Sequence, residues 1–283
     1  MNRLMMRRAL RHRGLMIGLA LVVGICLLAF FAPLIAPFDP LEQSLETRLA
    51  PPVWSAGGSW QHWFGTDHLG RDYLSRILYG ARVSVVIGLG AASIGCLIGV
   101  SLGICAGYFG GRTDQLISYV LTCQLAVPGL LLAMSLVFLI GPSVVVVVCV
   151  IGLLHWSLYL VVTRSATMKL RELEFVKAAR AIGSSNRQII THEILSNLRN
   201  QIVVIFTLEV GVAILAESSL SFLGVGIQPP TPSWGLMIAE GKNAIFFQPW
   251  LVILPGIALF LIVIGINLMG DGIRDITEPE ARN

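Results

Sequence analysis

The chain has 283 residues, 55% hydrophobic and only 13% charged, with a formal net charge of +4. Soluble domains carry about a quarter charged residues, so this composition, with a mean hydropathy of +0.78, excludes a soluble globular protein and specifies an integral membrane one. A surplus of that size is no argument for nucleic acid, and Cys26, Cys96, Cys105, Cys123 and Cys149, all scattered in apolar runs, supply neither a disulfide framework nor a metal spacing.

Residues 1–14 read as a basic N-terminus carrying Arg7, Arg8, Arg11 and Arg13. They resemble the positive region of a signal peptide, but the apolar run that follows is too long for one, which predicts a retained first span over 15–35. An extracytoplasmic loop follows over 36–83. A transmembrane domain of five further spans is expected over 84–275, interrupted by a cytoplasmic loop at 164–201, and 276–283 reads as a cytoplasmic tail. The six spans are placed at Leu15–Ile35, Ser84–Tyr108, Leu116–Ile140, Val144–Thr163, Ile202–Leu223 and Leu251–Gly270. Each holds about 20 residues or more, enough for a hydrocarbon core of about 30 Å.

In the second span Gly95, Gly99, Gly103 and Gly107 recur every fourth residue and line one face. Such a stripe lets another helix approach closely. Packing within this chain and a seam that slides during gating both fit it. No Asp, Glu, Lys or Arg falls between Asp114 and Arg164, and Gly141-Pro142-Ser143 supplies a turn, so the third and fourth spans form a helical hairpin.

The loop at 164–201 holds the most informative segment, Glu174 to Leu195. Phe175, Ala178, Ala179 and Ile182 recur at helical spacing, and Gly183 has the left-handed freedom that ends a helix. Ser185 and Gln188 then make a capping-box pattern for a second helix, with Ile190, Ile194 and Leu198 on one face. Lys177, Arg180 and Arg187 keep this hairpin out of hydrocarbon, while its small residues suit docking into another protein's groove. An ordinary charged loop is the plainer alternative.

The fifth span carries Glu209 at mid-depth and Glu217 nearer one end, and the fourth carries His155 beside Trp156. A carboxylate at membrane depth must face a pore, a partner or a water pocket, so Glu209 and Glu217 are translocation-pathway candidates. For Glu217 a local structural hydrogen bond is an equal reading, and His155 reads as a packing residue. The last outer loop, about Gly224–Trp250, holds Trp234, Trp250 and a stiff Pro229-Pro230-Thr231-Pro232 run.

Orientation follows from Lys and Arg. With the N-terminus inside, fifteen such residues face inward, among them Arg3, Arg7, Arg8, Arg112, Lys169, Arg187 and Arg282. Only Arg48, Arg71, Arg76, Arg82 and Lys242 face outward. Both termini and the hairpin are thus expected in the cytoplasm.

Catalytic motifs fail on inspection. His192-Glu193 has Ser196 where a zinc protease needs its second histidine. Gly235 to Gly241-Lys242 has one residue too many for a phosphate loop, and Asn243 stands where Ser or Thr is required. No Gly-x-Ser-x-Gly elbow occurs.

The hairpin resembles the cytoplasmic EAA loop of ABC importer permeases: Ala178, Ala179, Gly183 and Leu195 match, while Lys177, Glu193 and Ser196 depart from its glutamate, isoleucine and proline. Phe64-Gly-Thr-Asp-His-Leu-Gly-Arg-Asp72 with Ser75-Arg76 and Gly80 to Ser84, Ala216 to Gly226 with Pro229-Pro230 and Pro232 to Gly235, and Gly270 to Asp275 with Pro279 resemble the dipeptide, oligopeptide and nickel permeases, in particular their second, C-type subunit. The resemblance spans about Arg13 to Pro279. It implies an all-α type I ABC importer permease, six transmembrane helices with a cytoplasmic coupling-helix hairpin, with residues 84–275 as the permease domain. It implies a multi-pass protein of the cytoplasmic (inner) membrane and the following partners: a homologous permease, two ABC ATPase subunits and an extracytoplasmic solute-binding protein. This chain would bind no cofactor and no metal itself, ATP and Mg being used by the ATPases. Phe175, Ala178, Ala179, Gly183 and Leu195 are then the expected ATPase-coupling residues. The expected cargo is a di- or oligopeptide, with nickel or a nickel chelate as the alternative, and a non-transport membrane scaffold as the alternative from another class.

Overall fold

The computed structural model describes residues 11–277, so Arg3, Arg7, Arg8, Pro279 and Arg282 lie outside the described residues. Among these, the regular secondary structure is helical, apart from one isolated bridge between Thr66 and Asp72, and the long segment 36–72 is mostly irregular. Helix α1 is Arg13–Phe30, α2 Tyr73–Phe109, α3 Gly111–Leu125, α4 Gly129–Ile140, α5 Val144–Leu154, α6 Ser157–Leu170 and α7 Glu174–Ala181. The long α8 covers Asn186–Phe222 with a π-helical stretch at Ile189–Ile194, followed by α9 (Trp234–Gly241) and α10 (Trp250–Thr277).

Five segments are long and apolar enough to cross a membrane: α1, α2, the α5–α6 pair, α8 and α10. The third expected span departs from the continuous Leu116–Ile140 helix. It is two helices, α3 and α4, bent by 83° to each other. Pro128 causes the break. It has no N–H to donate, and its ring drives Val127 out of the helical region. The fourth span is also interrupted, at His155-Trp156, and runs on to Leu170 rather than stopping at Thr163.

Helix α2 is the centre of the fold, with α1, α5, α6 and α8 all packed on it. It starts eleven residues before the expected Ser84, because Asp72 caps it by accepting from the Ser75 N–H at 2.8 Å. At roughly 55 Å it is longer than the hydrocarbon core is thick, so its ends project. The glycine stripe faces the fourth span: a Cβ at Gly95, Gly99 or Gly107 would meet the backbone of His155, Trp156 or Arg164, and one at Gly103 the Thr163 hydroxyl. Within this chain the stripe therefore acts as a close-packing seam.

Three apolar clusters hold the helices. One joins α1, α2, α8, α9 and α10 around Trp234, Ile214 and Ile262. A second joins α2, α4, α5 and α8 around Ile87, Val147 and Leu220. A third binds the hairpin to the end of α2, with Val176, Ile189, Ile194 and Leu198 against Ile104 and Tyr108. The second helix of the hairpin continues through the π-helical stretch into the fifth span as one helix. Likewise α10 runs past Gly270 to Thr277.

Candidate functional site

Helix α7 is only eight residues long, so its position depends on tertiary contacts. Val176 provides the main one: it is fully buried in the third cluster, and the expected stripe is rotated away from it. Phe175 is 38% exposed and Ile182 83%, with Ala178 exposed on the same face and Ala179 half-buried. An apolar face thus points away from the chain while its neighbour anchors it.

The turn closes as the sequence predicts. Gly183 has φ +86°, the Ser184 N–H donates to the Ala179 carbonyl at 3.0 Å, and the Gly183 N–H donates to that of Arg180 at 3.1 Å. A Cβ at Gly183 would meet nothing within 4 Å, so the glycine is required by backbone conformation, not by space. Ser185 and Gln188 form the reciprocal capping box. Tyr108 at the end of α2 donates to Asn186 Oδ1 at 2.9 Å and lies under the Arg180 guanidinium, while Arg171 donates to the Gly107 carbonyl. The hairpin is therefore tied to α2 as well as to its own span. Leu195 lies beyond the turn on α8, 39% exposed, apart from the α7 face.

Inside the bundle, Glu209 is 6% exposed and lies 2.9 Å from His155 Nδ1. The pair bridges α8 to the break in the fourth span, so His155 is more than a packing residue. Glu217 is fully buried and accepts from Ser221 at 2.7 Å and Ser218 at 3.3 Å. Ser221 in turn accepts from the Ile227 N–H. These bonds make Glu217 the organiser of the chain's exit from α8 and enclose it within this subunit.

A cluster that sequence reading gave no role stands at the opposite end from the hairpin. Arg71 and Arg76 are both buried; Arg71 Nε donates to Asp67 Oδ2 at 2.6 Å, and Arg76 Nη2 donates to Glu240 Oε2 at 3.0 Å. Beside it His62 Nδ1 lies 2.9 Å from Asp72 Oδ1, and Trp234 donates to the Ile77 carbonyl at 3.0 Å. Together they clamp the first loop, α2 and α9 into one block. The signal was visible as Asp67, Arg71, Asp72 and Arg76 in one apolar-flanked motif, but Glu240 lies 164 positions further on. Asp67, His68 and Glu240 bring possible metal-ligand atoms within 4.8 Å of one another. Both carboxylates are already neutralised by guanidinium groups, which argues against a cation there.

Residues 99–283 match the family described as binding-protein-dependent transport system inner membrane component, and residues 1–52 match the N-terminal TM domain of oligopeptide transport permease C. The di/tripeptide transport system permease protein DppC of Pseudomonas aeruginosa is 40% identical over 96% of this chain and 90% of its own length. The dipeptide transport system permease protein DppC of Alkalihalophilus pseudofirmus is 39% identical over 96% and 88%. The glutathione transport system permease protein GsiD of Escherichia coli is 38% identical over 98% and 89%.

Proposed function

We infer that this chain, which belongs to the binding-protein-dependent transport system inner membrane components, forms one half of a pore that imports short peptides. As a multi-pass inner-membrane permease of an ABC importer it works with ATPase and substrate-binding partners. We assign it a homologous permease as its other half, two ATPases that use ATP and Mg, and both termini in the cytoplasm. The peptide and glutathione names of its relatives favour peptide over nickel, and family membership leaves the scaffold reading without support.

The observation that carries the coupling role is the hairpin's split character. Buried Val176 fixes α7 rigidly, while Phe175, Ala178 and Ile182 stay unpartnered in a face that suits an ATPase groove. Motion of that partner would pass through α7 directly into α8, since the hairpin's second helix and the fifth span are one helix. Glu209, paired to His155 at the break in the fourth span, is the pathway candidate we retain. Glu217 is better assigned to holding the outer connection.

The test is purification of the tagged chain from native membranes, followed by reconstitution with whatever co-purifies. Recovery of a second permease, ATPases and a binding protein, with ATP-driven uptake of a radiolabelled dipeptide that nickel does not inhibit, is the expected result. Purification of the chain alone, or uptake of nickel in place of peptide, would overturn it.

A further inference from the structure

An open groove of about 560 Å³ lies between α6, α8 and the last turns of α10. Leu158, Val161, Ser165 and Lys169 line it along α6, spaced as one helical stripe. Gln201, Val204, Ile205 and Leu208 do the same along α8, and Arg274 closes it from α10. Its polar groups are at the hairpin end, since Lys169 stands just before the hairpin and Gln201 just after it. Its apolar groups lie deeper.

From Lys169 to Leu158 along the helix is roughly 16 Å. That is about half of a 30 Å hydrocarbon core, the depth of one leaflet. Lys169 and Arg274 are exposed, and neither meets a carboxylate among the described residues. The side-chain oxygen of Gln201 is buried without a donor. The groove thus combines two cations that meet no carboxylate among the described residues, a buried side-chain oxygen without a donor on the same wall and an apolar channel about one acyl chain deep.

We propose that this groove seats an anionic phospholipid with a hydroxyl-bearing headgroup. The phosphate lies between Lys169 and Arg274, a headgroup hydroxyl donates to Gln201 Oε1, and an acyl chain runs past Val161 and Val204 towards Leu158. Basic pockets between spans are where such headgroups bind. A free anion would satisfy the two cations but leave the apolar stripe uncovered, so the walls select a lipid. The bound lipid would brace α6, α8 and α10 where they converge beneath the hairpin.

The experiment is native mass spectrometry of the assembled importer with the full chain, released from phosphatidylcholine nanodiscs doped with phosphatidylglycerol. The parent is expected to retain phosphatidylglycerol. Lys169→Gln with Arg274→Gln should weaken retention about 30-fold, each cation contributing a factor of roughly five. Val161→Trp fills the apolar channel but leaves both cations, and it should also release the lipid from the assembled fraction. Parental retention in both variants would overturn the proposal. So would displacement of the lipid by inorganic phosphate alone, or efficient cross-linking of a cysteine placed at Val161 to the second permease, which would show that protein covers this face.

Discussion

Replacing Gly99 with alanine tests the packing that holds α2 to the fourth span. The added methyl would lie 2.3 Å from the Trp156 carbonyl oxygen and 2.6 Å from Tyr159 Cβ. Ordinary contact begins near 3.4 Å, so the helices must part by about 1 Å, and the obstruction is backbone that no rotamer change can move aside. Overpacking of this kind costs about 1–3 kcal/mol. Alanine also gains about 1 kcal/mol in helix propensity over glycine, which obscures the effect in a single variant. Gly24→Ala in α1 supplies the control, because its methyl meets nothing within 4 Å while the propensity gain is the same. The difference between the two variants therefore isolates the clash. Thermal unfolding of the purified protein in one detergent, followed by tryptophan fluorescence, should place Gly99→Ala below Gly24→Ala by an amount equivalent to about 1–3 kcal/mol. Equal midpoints would refute the close-packed seam.

Gly183→Val forces a β-branched residue to φ +86°, a strain of about 1–2 kcal/mol with no steric neighbour to share it. The complex should assemble while ATP hydrolysis and uptake become uncoupled, and parental transport by the variant would remove the coupling role. Arg76→Met leaves Glu240 and Asp67 short of a buried counter-charge, for an expected loss of about 3–5 kcal/mol. Arg48→Met, at an exposed position, should change the unfolding midpoint little; similar midpoints for the two would show that the cluster is not structural. Glu209→Gln removes the charge opposite His155 and should weaken the bridge between α8 and the fourth span by about 1.5–3 kcal/mol. Uptake should fall more than assembly does, and a variant that transports normally would exclude Glu209 from the pathway.

Much of this protein is written locally in its chain. Spans announce themselves because every backbone group in hydrocarbon must bond within its own helix, which demands an uninterrupted apolar run. The hairpin was legible for a related reason: Gly183 and the Ser185–Gln188 box act on groups within five residues of themselves. Pro128 stood inside the expected Leu116–Ile140 span and was not read as a break, and the 83° bend it permits depends on what α3 and α4 pack against. Tertiary structure alone decided which face of α7 is buried, since Val176 and Phe175 are adjacent and both apolar. It alone paired Glu209 with His155 across 54 positions and Arg76 with Glu240 across 164. A charged or apolar residue states in sequence what kind of neighbour it requires. Which neighbour it finds depends on how helices separated by many residues come to lie side by side.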